Sequence, residues 1–159
     1  MSAGAGARIL VVDDTPANLK LLVDVLDASG YAASGASNGT DALAMIAANP
    51  PDLVLLDIMM PGMSGYEVCE RLRANPDTAL LPVVLCTSLD PQSERVKGIE
   101  AGADDFLTKP FDEIELLARV QNTVRVKLYF DSLQRERDGL QSEVEAQVQQ
   151  LEESSARLE

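Results

Sequence analysis

Five short apolar runs, each followed by a stretch with helical spacing, constrain this chain more than any other feature. They are ILVV from Ile9, AASGAS from Ala32, LVLL from Leu53, VVLC from Val83 and DFLT from Asp105, at intervals of about 20 to 30 residues. Their length and apolar content predict strands, the second weakly because it is built from small residues. Between them, PANLKLLVDVLDASG places Leu19, Leu22, Val23 and Leu26 on one helical face, and DALAMIAAN does the same with Leu43 and Ile46. Thr15 and Pro16 read as a cap and first helical position, Gly30 follows the first helix, and Asn49-Pro50-Pro51 stops the second. Regular alternation of strand and helix predicts an α/β fold, a doubly wound five-stranded parallel sheet covered on both faces.

The length of 159 residues and a hydrophobic fraction of 46% suit one domain plus an appendage. Lys and Arg total 13 against 26 Asp and Glu, a net charge of 13 − 26 = −13. Such a surface opposes the phosphate contacts that dominate nucleic-acid affinity, so direct binding to DNA or RNA is not expected. No apolar run approaches the roughly 18 residues of a membrane span. The start MSAGAGAR lacks an apolar export region, and Cys69 and Cys86 lie within apolar segments as buried thiols. A cytoplasmic protein is the expectation.

In open parallel sheets, ligands sit beyond the carboxyl ends of the strands. Asp13 and Asp14 end the first strand, Asp57 the third, Thr87 and Ser88 the fourth, and Lys109 with Pro110 the fifth. If the first and third strands are neighbours, three carboxylates converge, and each close pair repels by about 4 kcal/mol at about 4 Å and an effective dielectric near 20. A divalent cation relieves that repulsion. Short carboxylates in an all-oxygen site suit Mg²⁺, which shares its ligands readily with a phosphate, and Lys109 adds a point charge for a phosphoryl oxygen.

The segments VVDDTPANLKLL, LLDIMMPGMSGYEV, VVLCTS and GADDFLTKPF, in this order and spacing, resemble the receiver domain of two-component response regulators. The resemblance runs from Arg8 to about Lys127 and implies a flavodoxin-like (CheY-like) sheet in strand order 2-1-3-4-5. It implies that Asp57 is the phosphoacceptor, that Asp14, Asp57 and the Met59 carbonyl bind Mg²⁺ directly, and that Asp13 acts through water. Thr87 becomes the switch hydroxyl, Phe106 the switch aromatic, and Lys109 the phosphate-binding lysine before a cis Pro110. The implied function is acceptance of a phosphoryl group from a sensor histidine kinase or phosphotransfer protein, with no separate enzyme activity in this chain. An aspartate-nucleophile phosphatase of the haloacid-dehalogenase type is the main rival, but it needs a second Asp where Met59 stands. A dimerising module that takes no phosphate is the other.

The fifth helix opens with Asp112 as cap, Glu115 three residues later, and Phe111 and Leu116 as a hydrophobic staple. It then continues. Val126, Phe130, Leu133, Leu140, Val144, Leu151 and Leu158 recur in steps of three and four, a register that also passes through Arg137, Gln147 and Ser154. That pattern predicts a coiled coil and a homodimer paired in parallel through the C-terminal helix. The expected organisation is a flexible N-terminus over 1–7, the receiver over 8–127 and a helical extension over 128–159. The segment GIEAGADDFLTKPFDEIELLARVQNTVRVKLYFDSL looks most like receivers joined through a long helix to diguanylate cyclases, and somewhat like those joined to cyclic-di-GMP phosphodiesterases, phosphatases or kinases. Because the chain ends on its heptads, either a piece of a longer protein or a stand-alone regulator is expected.

Overall fold

The computed structural model describes residues 6–88, 91–110 and 112–158, without the side chains of 91, 93–95 and 156–158. Residues 1–5, part of the expected flexible N-terminus, and Phe111 with its staple to Leu116 lie outside the described residues, as does the side chain of Leu158. The elements are β1 (Arg8–Val12), α1 (Pro16–Ala28), β2 (Ala32–Ala36), α2 (Gly39–Ala48), β3 (Leu53–Asp57), α3 (Gly65–Ala74), β4 (Val83–Thr87), α4 (Pro91–Ala101), β5 (Asp105–Thr108) and α5 (Glu113–Leu158). Two compact units divide the chain, Met1–Arg125 and Val126–Glu159.

In the first unit all five strands are parallel in the order β2-β1-β3-β4-β5, as expected. Successive side chains of a strand point to opposite faces, so the apolar runs split into two cores. Leu10, Val12, Val54, Leu56, Leu85 and Phe106 pack beneath α2, α3 and α4 through Ile46, Val68, Leu72 and Ala101. On the other face Ile9, Val11, Leu53, Leu55, Val84 and Leu107 meet Leu22 and Leu26 of α1 and Leu116, Val120 and Val124 of α5. Continuous apolar runs in β3 and β4 follow from burial on both sides. β2 is an edge strand of small residues because α1 approaches it closely: a Cβ on Gly35 would lie 2.9 Å from Leu19 Cδ1.

The helix ends differ in part from the sequence signals. Thr15 holds the N-cap position of α1, with Pro16 next, but its hydroxyl makes no capping bond; its N–H donates instead to Asp13 Oδ1 at 2.9 Å. Asn38 and Ser64 cap α2 and α3 by accepting from the Asp41 and Glu67 N–H groups. Asp112 caps α5 by accepting from the Glu115 N–H at 2.6 Å. In the second unit α5 continues as helix through Gly139, and its apolar residues stand exposed.

Candidate functional site

β1 and β3 are paired neighbours, with Val12 opposite Leu56, so the residues that follow them emerge side by side. Asp13 and Asp14 leave β1 where Asp57 ends β3, and one carboxylate oxygen from each of the three lies within 4.8 Å of the others. Asp13 and Asp57 are buried, at 2% and 6% exposure, and Asp14 is half-buried. The pairing of Thr87 with Thr108 brings Lys109 to the same edge. Its Nζ stands 3.2 Å from Asp13 Oδ2 and 3.4 Å from Asp57 Oδ1. Its backbone N–H donates to the Thr87 carbonyl at 2.6 Å, and the Lys109–Pro110 peptide is cis, as the resemblance implies.

The loop after β3 is shaped by contact with Asp57. The Met59 N–H donates to Asp57 Oδ1 at 3.4 Å, while the Met59 side chain faces solvent. Gly62 takes a φ of +80°, in the region that favours glycine, and the Gly65 N–H donates to the Ile58 carbonyl. A Cβ on Gly65 would lie 2.4 Å from the Asp57 carbonyl oxygen and 2.8 Å from Ile58 Cα, so α3 starts against the backbone of the acid itself.

Electrostatics set the chemistry. Burial pushes the Asp57 carboxyl above the usual carboxylate range; Lys109 and the Met59 N–H pull it down, and Asp13 pushes it further up. Lys109 loses hydration as well, but Asp57 and Asp13 more than offset this and hold its ammonium above the usual lysine value. Three carboxylates and one ammonium sum to −3 + 1 = −2, the charge a divalent cation cancels. Every side-chain donor of the cluster is a carboxylate oxygen, so the residues present fit a hard cation such as Mg²⁺. The neighbouring Cys86, opposite Asp57 in the sheet, is a protonated, unreactive thiol: burial pushes it up to about 12.

Thr87 and Phe106 are both buried. By strand alternation, Thr87 faces the side where Phe106 packs beneath α4, and a Cβ on Gly98 of that helix would lie 3.1 Å from the Phe106 ring. One group escaped the sequence reading. Arg73 at the end of α3 donates to the Gly102 carbonyl (2.8 Å), the Leu81 carbonyl (2.6 Å) and Asp104 Oδ2 (2.8 Å), while Asp104 Oδ2 also accepts from the Val83 N–H. This clamp ties α3 to the start of β4 and the turn before β5.

A sheet of this order, with an acidic trio and a lysine at its carboxyl edge, defines a class of signalling domain. The response regulator receiver domain model matches residues 9–121, and the chain belongs to that family. Among particular relatives, it is 53% identical over 134 residues to response regulator PleD of Caulobacter vibrioides, covering 84% of this chain and 30% of PleD. It is 49% identical over 118 residues to response regulator MprA of Mycobacterium sp. (strain KMS), covering 74% of this chain and 50% of that one. The chain thus spans half or less of the length of these curated relatives. The structure of the chemotaxis protein CheY4 of Vibrio cholerae superposes with a TM-score of 0.71 at 28% identity, covering 75% of this chain and 99% of that one.

Proposed function

We propose that this receiver accepts a phosphoryl group on Asp57 and passes the resulting change through α5. The observation that carries the reading is a buried carboxylate, Asp57, held 3.4 Å from Lys109 among two further acids at the end of a central strand. The chain contains no histidine, so the phosphodonor imidazole belongs to a sensor histidine kinase or phosphotransfer protein. An Asp57 carboxylate oxygen attacks phosphorus; the new O–P bond forms as the donor's N–P bond breaks, and the electron pair leaves on the imidazole. Lys109 supplies positive charge to the equatorial oxygens during transfer. Asp14 and Asp57, with the Met59 carbonyl, would hold Mg²⁺, and Asp13 would hold it through water, on the residues that converge at this edge. The bound ion supplies charge neutralisation for the transferring group.

The product leaves about two negative charges on the phosphoryl group beside Thr87. The Thr87 hydroxyl then donates to a phosphoryl oxygen, and Phe106, packed on the same side of the sheet, follows it. A charge-assisted hydrogen bond contributes about 1.5–3 kcal/mol, whereas moving a two-state element from 1:99 to 99:1 takes about 5.5 kcal/mol. Lys109 and backbone contacts therefore share the work. The functional division is a receiver over 8–127 and a signalling helix over 128–159 that pairs two chains in parallel. The chain works in the cytoplasm, turns over no substrate beyond its own acyl phosphate, and binds no nucleic acid directly, in keeping with its charge of −13. No helix among the described residues is long and apolar enough to cross a membrane.

Intact-mass measurement after incubation with acetyl phosphate tests the reading. We expect a single added phosphoryl group that requires Mg²⁺ and is absent from Asp57→Asn. Equal uptake by the variant would overturn it, and no uptake by wild type would leave a dimerising module without phosphate chemistry.

A further inference from the structure

The strict alternation of three and four residues puts Gln147 in the coiled-coil seam and leaves Val148 on its flank. In the second unit the helix is continuous across both, and Val148 is a large apolar side chain 48% exposed, beside Val144 at 57% and Leu151 at 71%. From Leu140 the apolar residues Val144, Val148 and Leu151 step by four, four and three. Both strides reach Leu151 eleven residues after Leu140; they differ in whether the step after Val144 is three residues, onto Gln147, or four, onto Val148. We infer that a second copy of this chain packs on this helix through a seam that changes stride at Val144 and admits Val148 in place of Gln147. The inference rests on the helix pairing proposed above and specifies which face closes.

Two physical arguments favour this seam. The first is desolvation: burying Val148 removes apolar surface from water, whereas burying Gln147 takes an amide out of water for which the seam offers only another Gln147. Ser154 and Ser155 are equivalent in chemistry, so the Gln147–Val148 choice decides, and the two positions lie about 100° apart around the helix. The second argument identifies the occupant. Arg137 falls in the seam, and among the described residues it has only a 3.7 Å contact with Asp138 between two exposed side chains. In a parallel, in-register pair, Glu136 of the opposing helix flanks Arg137, so each seam cation meets a carboxylate by the symmetry of the pair. A second copy supplies this match without further assumption.

Disulfide trapping in the full chain tests the seam, because a disulfide forms only when two Cβ atoms approach to about 4 Å. Single variants Gln147→Cys, Val148→Cys, Leu151→Cys, Ser154→Cys and Ser155→Cys are oxidised mildly, with wild type as control for the buried Cys69 and Cys86. Leu151→Cys is expected to cross-link in either stride. Val148→Cys should cross-link about tenfold faster than Gln147→Cys, and Ser155→Cys faster than Ser154→Cys, given that separation requirement. Equal rates at 147 and 148, or the reverse order, overturn the change of stride while leaving the pairing intact. No cross-link at Leu151→Cys, with wild type sedimenting as a monomer, removes the pairing itself; the same result with a sedimenting dimer removes the parallel register. As an independent readout, Val148→Gln should weaken self-association about tenfold and Gln147→Ala should leave it unchanged. Unchanged affinity in Val148→Gln contradicts the inference.

Discussion

Asp57 is nearly closed off from water, and the cost of burying its charge is only partly offset by Lys109, whose attraction outweighs the repulsion from Asp13. Its charge is therefore a cost to the metal-free fold. Because the folded value lies above the unfolded one, the favourable contribution is present below the unfolded pKa and is lost as pH rises through the folded pKa. Asp57→Asn should accordingly melt about 4 °C above wild type at neutral pH in a chelator, with the gap closing as pH falls into the carboxylate range. Thermal unfolding across pH measures this, and a gap that stays constant with pH would contradict it. In the proposed transfer Lys109 answers a different need, positive charge on the transferring group. Lys109→Ala should lower the rate of phosphate uptake by about 100-fold in a stopped mass assay, and an unchanged rate would remove the lysine from the chemistry.

Elements put these side chains where they act, and glycine decides how closely they approach. A methyl group at Gly65 collides with the backbone of Asp57 and Ile58, whereas one at Gly139 meets nothing within 4 Å. Gly65→Ala should therefore destabilise the receiver by about 2 kcal/mol in urea unfolding. Gly139→Ala should raise helix stability by about 1 kcal/mol. The strands and their terminal acids were legible in the sequence because burial on two faces and a turn at each carboxyl edge leave local patterns. The capping bond expected of Thr15 did not form; the residue is held in the loop through its N–H, which donates to the Asp13 carboxylate. The Arg73–Asp104 clamp joins residues 31 apart in sequence and has no local signature at all. A strict three-four stride steps over Val148; it stands exposed on a continuous helix as Gln147 does, and its apolar side chain is what separates the two.

At the scale of the whole molecule, the proposed phosphorylation site lies in one unit and the proposed pairing helix in the other. Leu140→Glu and Leu151→Glu place carboxylates on exposed apolar seam positions and should shift sedimentation to the monomer while phosphate uptake persists. Thr87→Ala should keep uptake within about threefold, since in the proposed switch the hydroxyl donates only after transfer, and should lose the response of self-association to phosphorylation. Parallel loss of both properties would assign Thr87 to the chemistry instead of the switch. Everything downstream depends on where the phosphoryl group goes. Borohydride reduces an aspartyl phosphate to homoserine, so treating the Mg²⁺ and acetyl phosphate product with borohydride and sequencing its peptides marks the acceptor directly. Homoserine at position 57 and at no other acid is the predicted result; homoserine at Asp13 or Asp14, or at another acid in place of Asp57, would contradict the assignment.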